Sequence, residues 1–163
     1  MGDLTVELIP KTCFYSNVRT LLPKKYWDLL RRASYAKAEY KCEICGESGK
    51  DQGYKHEVEC HEIWDYDDKL KVQILTGLIS LCPKCHQVKH FGRTSAIGLQ
   101  AHAFKRMERI NNWTHKQCVT HLAESMIEWS ERSIYKWRLD ISVLNELVDI
   151  PEKLIAEAVK KRK

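Results

Sequence analysis

Two Cys-x-x-Cys pairs, Cys42/Cys45 and Cys82/Cys85, constrain this chain more than any other feature. A two-residue gap lets both sulfurs of a pair reach one metal ion, and four thiolates complete the tetrahedron that zinc prefers. Such a site leaves no position for substrate, so a Zn2+ ion held there is expected to be structural. Thirty-six residues separate Cys45 from Cys82, more than a compact zinc ribbon needs, so something is inserted between the knuckles. Cys13, Cys60 and Cys118 are left over. The chain begins Met1-Gly2-Asp3, without the basic and apolar regions of a secretory leader. The expectation is a cytoplasmic protein whose cysteines serve metal before disulfides.

The 163 residues are 44% hydrophobic and 30% charged, which reads as one soluble globular domain. No apolar run approaches the roughly 18 residues of a membrane span. Three parts are expected within the single domain 1–163. Residues 1–41 form an arm and a helix, 42–91 the metal-binding core, and 92–163 a helical extension with a basic tail. The net charge of +5 is unevenly spread. Residues 1–41 carry eight Lys and Arg against four Asp and Glu, residues 92–139 the same, and residues 42–91 six against nine. An acidic centre between two basic flanks suits a metal site between phosphate grips.

Along the chain, residues 1–22 read as an extended arm with a turn. Pro23 then suits a first helical position, with Tyr26, Trp27, Leu30, Ala33 and Ala36 at helical spacing toward Tyr40. From His56 to Ile63, Val58 and Cys60 alternate with Glu57, Glu59 and His61, as in a strand. Trp64 to Lys71 reads as an acidic loop, and Leu78-Ile79-Ser80-Leu81 as a short second strand. Pro83 opens a helix that carries His86 and His90 four residues apart on one face. Ile97, Ala101, Phe104 and Met107 form a further helical stripe that Asn111-Asn112 breaks. Thr114-His115-Lys116-Gln117 is a capping-box pattern. It opens a helix with Cys118, Leu122 and Met126 beside Val119, Ala123 and Ile127. Trp137, Leu139 and Ile141 alternate at period two, and the tail from Leu154 to Lys163 is amphipathic and expected to fray.

The inserted segment is where chemistry is expected. Cys60-His61-Glu62 ends the first predicted strand, and Cys82-Pro83-Lys84-Cys85-His86-Gln87-Val88-Lys89-His90 runs from knuckle into helix. His86 adjoins a zinc ligand and cannot wander, and the fold should bring His61 near His86 and His90. A nucleophile–base pair of Cys60 and His61 is disfavoured, because adjacent strand residues face opposite sides.

This frame of CxxC, a strand ending in His, a second strand and Leu81-Cys82-Pro83-x-Cys85-His86-x-x-x-His90 resembles the HNH (His-Me finger) nucleases that carry a zinc ribbon. A longer resemblance, over roughly residues 7–143, is to bacterial and phage proteins identified as HNH endonucleases. It rests on Ser16-Asn17-Val18-Arg19, Cys42-Glu43-Ile44-Cys45-Gly46, Val58-Glu59-Cys60-His61-Glu62, Trp64-Asp65-Tyr66-Asp67-Asp68, Gly77-Leu78-Ile79-Ser80-Leu81-Cys82-Pro83 and Arg132-Ser133 through Trp137.

The resemblance implies an α+β fold, a zinc-ribbon-stabilised ββα-metal core flanked by N-terminal and C-terminal helices. It implies a metal-dependent endonuclease that hydrolyses phosphodiester bonds in DNA. His61 matches the general base, and His86 and His90 match the ligands of a second divalent ion: Mg2+, Mn2+, Ni2+ or Zn2+. Two positions depart from the pattern. Cys60 stands where a metal-binding Asp or His is usual, which makes it a candidate ligand favouring zinc. Gly77 stands nine positions before His86, where the middle Asn is expected; Gln73 or Thr76 could supply its side chain. These departures feed an alternative, a zinc-ribbon nucleic-acid-binding protein without hydrolysis. The candidate phosphate contacts are Arg19, Lys24, Lys25, Arg31 and Arg32 before the core, and Arg93, Lys105, Arg106 and Arg109 after it. No membrane partner is expected, and the oligomeric state stays open.

Overall fold

The computed structural model describes residues 2–161. Met1, and the Arg162 and Lys163 of the basic tail expected to fray, lie outside the described residues. The architecture is α+β: among the described residues, eight α-helices accompany a three-stranded sheet in the order β1-β2-β3.

The arm runs without regular structure to a 3-10 turn at Lys11–Cys13, and α1 (Val18–Leu21) follows. Asn17 caps α1, its side chain accepting from the Thr20 N–H at 2.9 Å. α2 (Lys24–Lys37) starts one residue after Pro23, which serves as N-cap rather than first helical residue. Leu30 is its buried anchor.

β1 (Glu59–Asp67) and β2 (Val72–Leu81) form an antiparallel hairpin with Glu59 opposite Leu81 and Asp67 opposite Val72. The sequence expectation of a loop over Trp64 to Lys71 is corrected here. The strand continues through Asp67, with a register shift between Ile63 and Trp64, and β2 is correspondingly longer than predicted. A bulge interrupts the hydrophobic alternation that marks a strand, so the acidic residues beyond it look like a loop. The true turn is made by Asp67, whose carboxylate accepts from the Lys69 and Leu70 N–H groups at 2.9 and 2.8 Å.

β2 leads directly into α3 (Pro83–Lys89), with Cys82 as N-cap and Pro83 in the first turn, where its missing N–H costs nothing. α4 (Phe91–Ala96) and α5 (Gln100–Asn111) follow, and Asn112 ends α5 in the left-handed region at φ 53°. The predicted stripe on α5 is shifted: Ile97 precedes the helix and is exposed, and Ala103, Arg106 and Met107 are the buried residues. α6 (His115–Arg132) begins with the capping box, Thr114 and Gln117 each satisfying the other's backbone N–H. In its two expected apolar stripes, Cys118 is buried and Leu122 packs partly on the core, whereas Met126, Val119 and Ile127 are exposed.

β3 (Arg138–Asp140) adds parallel to β2, with Trp137, Leu139 and Ile141 buried as their alternation requires. α7 (Leu144–Leu147) and α8 (Glu152–Lys161) complete the chain.

Two hydrophobic clusters hold these elements. One joins Leu4 and Val6 of the arm to the cysteine knuckles, α3, α5 and α6. The other joins α1, α2, β3, α7 and α8 around Leu75 of β2. The hairpin serves both, with Leu81 in the first cluster and Leu75 in the second. Each fully buried leucine contributes about 1.5–3 kcal/mol, so the hairpin and the start of α3 are fixed from two sides. No helix among the described residues is long and apolar enough to cross a membrane.

Candidate metal centres

The first knuckle turns tightly between Cys42 and Glu47. The Gly46 N–H donates to the Cys42 carbonyl at 2.8 Å, and Gly46 takes φ 74°, which a side chain would disfavour. The knuckle docks on β2 through Glu43, whose N–H donates to the Ser80 carbonyl and whose carboxylate accepts from the Ser80 N–H. Gly49 is obligatory for another reason: a Cβ there would collide with the His56 carbonyl. The second knuckle is the junction of β2 and α3.

These turns bring Cys42, Cys45, Cys82 and Cys85 together, their sulfurs all within 4.8 Å of one another. Cys45 and Cys82 are 3.6 Å apart. A tetrahedral zinc with bonds of about 2.3 Å places its sulfurs about 3.8 Å apart, so the donor set fits a structural zinc.

Arg106 explains how such a site is tolerated in a core. Four thiolates around a divalent ion leave net negative charge, which is expensive to bury unpaired. The Arg106 guanidinium donates to Cys45 Sγ at 2.9 Å, to Cys85 and Cys82, and to Glu47 at 3.0 Å. The Gln52 amide donates to Cys82 at 3.2 Å. Arg106 is therefore corrected from the phosphate contact expected of it: it is buried and committed to sulfur. Its place on the buried stripe of α5, between Ala103 and Met107, was the available signal. Arg109, beside it, pairs with Glu47 at 2.6 Å.

The second constellation also draws on α3, the helix that carries Cys85. His61, His86 and His90 bring ligand nitrogens within 4.8 Å of one another, and their ring centroids are 4.5–5.3 Å apart. His61 points here because β1 alternates, and Glu59 shares its face. His86 and His90 are one helical turn apart, the His90 N–H donating to the His86 carbonyl. His90 ends α3 rather than lying within it.

Two carboxylates hold the rings. Glu59 bonds His86 Nδ1 and also His56 Nε2. Glu7, from the arm, meets His61 Nε2 at 2.7 Å and the buried Lys89 ammonium at 2.7 Å. Each of the two imidazoles thus has one nitrogen tied to a carboxylate and the other left for a ligand, the usual arrangement around a metal-binding histidine. Burial pushes the His61 pKa down against the opposing pull of Glu7. Burial and the two neighbouring imidazoles push His90 down as well. Neutral rings are the form that binds a metal. Burial raises Glu7, but His61 and Lys89 overcome this and hold it at about 2, ionised. Glu7 was not found from sequence, because nothing local to it marks a partner 54 positions away.

This arrangement corrects one sequence expectation, that of Cys60 as a ligand. His61 clusters with His86 and His90 and has its Nε2 held by Glu7, a placement that suits either a ligand or a base. Cys60 faces the other side of β1, toward α2, and is not one of the three clustered residues. Burial pushes its thiol up to about 12, against a hydrogen bond with Ser34, which disfavours the thiolate. Glu62 also faces away. It accepts from the Val18 N–H at 2.8 Å and from Trp64 Nε1 at 3.2 Å, and so anchors α1. Burial raises its pKa to about 7.

Gly77 has no atom within 4 Å of where its Cβ would stand. Of its two possible substitutes, Thr76 donates to the Ile63 carbonyl at 3.2 Å, beside the bulge, whereas Gln73 is buried near Tyr66. Thr76 is thus the residue placed to brace the hairpin. Asp68 pairs with Arg132 at 2.8 Å, and Asp67 makes the turn.

A cleft of about 570 Å³ opens beside His86 and Glu59. Of the expected phosphate contacts, Arg19, Lys24, Arg31 and Arg93 line it, from α1, α2 and α4. Arg32 and Lys105 are exposed and are not among its lining residues, and Lys25 lies over the Tyr26 ring.

No protein-family model matches the chain, and comparison with curated proteins and with solved structures likewise finds no match.

Proposed function

We propose that the protein is a metal-dependent phosphodiesterase of the HNH (His-Me finger) type that cleaves DNA. The observation that carries this reading is the convergence of three imidazoles, two of them braced by carboxylates, at the edge of a cleft ringed by four cations. The hairpin followed by α3 has the ββα order that the motif resemblance implies.

The roles follow from placement. His61, His86 and His90 would hold one divalent ion, Mg2+, Mn2+, Ni2+ or Zn2+, and an all-imidazole set with Cys60 excluded favours zinc, nickel or manganese at least as much as magnesium. Three protein ligands leave an open position, as catalytic sites require and the four-sulfur site does not. Bound there, the ion would supply Lewis-acid stabilisation of the charge that develops on a phosphoryl group. Glu7 and Glu59 fix the ring orientations. Arg19, Lys24, Arg31 and Arg93 hold the substrate's phosphates from three elements, so that one phosphodiester rests against His86. The four-sulfur site, loaded with zinc, keeps α3 in register with the hairpin and thereby keeps His86 facing His61.

The test is plasmid nicking by purified protein with each of the four ions, against His86→Ala. Metal-dependent nicking that His86→Ala abolishes is expected. DNA binding without cleavage by any ion would instead favour a zinc-ribbon binding module, the reading that Gly77 and its missing side chain support.

A further inference from the structure

One face of α2 forms a wall of the cleft. Lys24, Trp27, Asp28, Arg31 and Tyr35 all line it, and their spacing of three, one, three and four residues is that of a single helical stripe. Along this stripe cations and rings interleave: Lys24, Trp27, Arg31, Tyr35. Asp28 is the exception, and it binds both cations, Lys24 at 2.6 Å and Arg31 at 2.8 Å, which holds them in place at the cost of part of their charge.

Resting on the nuclease reading above, we propose that this face receives unpaired nucleotides, and that the substrate is single-stranded or locally opened nucleic acid, with Trp27 and Tyr35 stacking on its bases. Three observations carry the proposal. Interleaved cations and aromatic rings are what a non-paired strand offers partners for: phosphates on one edge, exposed base faces on the other. In a duplex those faces are covered by their neighbours. The eight helical steps from Trp27 to Tyr35 span about 12 Å, room for three or four nucleotides at a stacked rise of about 3.4 Å. The cleft, about 570 Å³, has the volume of a small-ligand site, which suits a short unpaired stretch better than a duplex. Arg19 and Arg93 at the cleft's other walls then take the phosphates on the side of His86.

The experiment measures anisotropy of a fluorescein-labelled oligothymidylate and of a hairpin duplex of equal length, with full-length zinc-loaded protein and no added divalent ion. Metal-dependent plasmid nicking is measured in parallel. Tighter binding of the oligothymidylate is expected. Trp27→Leu should lower that affinity about tenfold or more, the usual worth of one stacked base, while Trp27→Phe stays within about threefold. Because Trp27 also packs partly on the core, Tyr35→Leu serves as a second variant, with thermal unfolding as the folding check. Duplex bound as tightly as single strand, or single-strand affinity indifferent to both leucine variants, would overturn the proposal while persistent nicking left the nuclease reading standing. Absence of binding and nicking together would overturn both.

Discussion

α3 contributes consecutive residues to two very different constellations: Cys85 to the four sulfurs and His86 to the three imidazoles. Around Cys85 the protein supplies every donor that zinc needs and then commits a buried arginine and a glutamine to the sulfurs themselves. Cys42, Cys82 and Cys85 are all at most 2% exposed. Around His86 the protein supplies three donors, braces two of them with carboxylates, and leaves the remaining side open to a cleft. The difference fits a structural zinc at the first site and, on the proposed reading, an ion with an open position at the second. It also shows how the first serves the second: a helix anchored at Cys85 cannot carry His86 away from β1.

The comparison breaks most visibly at the cysteines. Cys85→Ser should destabilise the protein by about 3–5 kcal/mol, the scale of losing a structural metal, read as a drop in denaturant midpoint. An unchanged midpoint would mean that the sulfurs do not hold the fold. His86→Ala should do the reverse. Cleavage should fall by about 10²-fold or more, because a metal ligand is removed, while stability changes by no more than about 1 kcal/mol. Equal destabilisation by both substitutions would erase the division of labour.

The arginines sharpen the same contrast. Arg106→Met should cost about 2–3 kcal/mol of stability by stripping the sulfurs of a buried charged donor, and leave DNA affinity within about twofold. Arg19→Ala with Arg93→Ala should leave stability within about 0.5 kcal/mol. The same pair should make the log–log salt slope of DNA binding shallower by about 0.9 for each phosphate the protein no longer neutralises. A salt slope altered by Arg106→Met and untouched by the double variant would put the grip at the wrong site. The smallest effect is expected at Gly77→Asn. Open space around this residue predicts a stability change within about 0.5 kcal/mol, measured by thermal unfolding. A large loss would mean that the bulged strand does need glycine there.

What could be read from sequence was set by short-range spacing. The paired cysteines, Pro83 at the start of α3, the capping box at Thr114 and Gln117, and the alternation through Trp137, Leu139 and Ile141 each depend on residues a few positions apart. The approach of His61 to His86 followed from the hairpin being closed by the knuckles. The length of β1 did not, because the bulge after Ile63 breaks the alternation that signals a strand. The strand's alternation places His61 with His86 and His90, and its role there, base or ligand, is a question of chemistry that spacing does not address. Glu7 and Arg106 reach their partners across the tertiary fold, up to 82 and 61 positions away; no local pattern announces Glu7, and only its place on the buried stripe of α5 marks Arg106. Arg106 also shows that a cation in a basic segment can serve the core.

The central proposal is that two metal sites share one helix and that His61 serves the second as a ligand rather than as a base. Elemental analysis and metal titration of wild-type protein and His61→Ala test it most directly. Wild-type protein should carry one tightly held zinc and bind a second divalent ion. His61→Ala should keep the zinc and bind the second ion at least about tenfold more weakly, as loss of a first ligand or even of its supporting partner does. Folded protein without zinc, or a His61→Ala variant that binds the second ion as tightly as wild type while losing cleavage, would contradict the account, the latter returning His61 to the role of base.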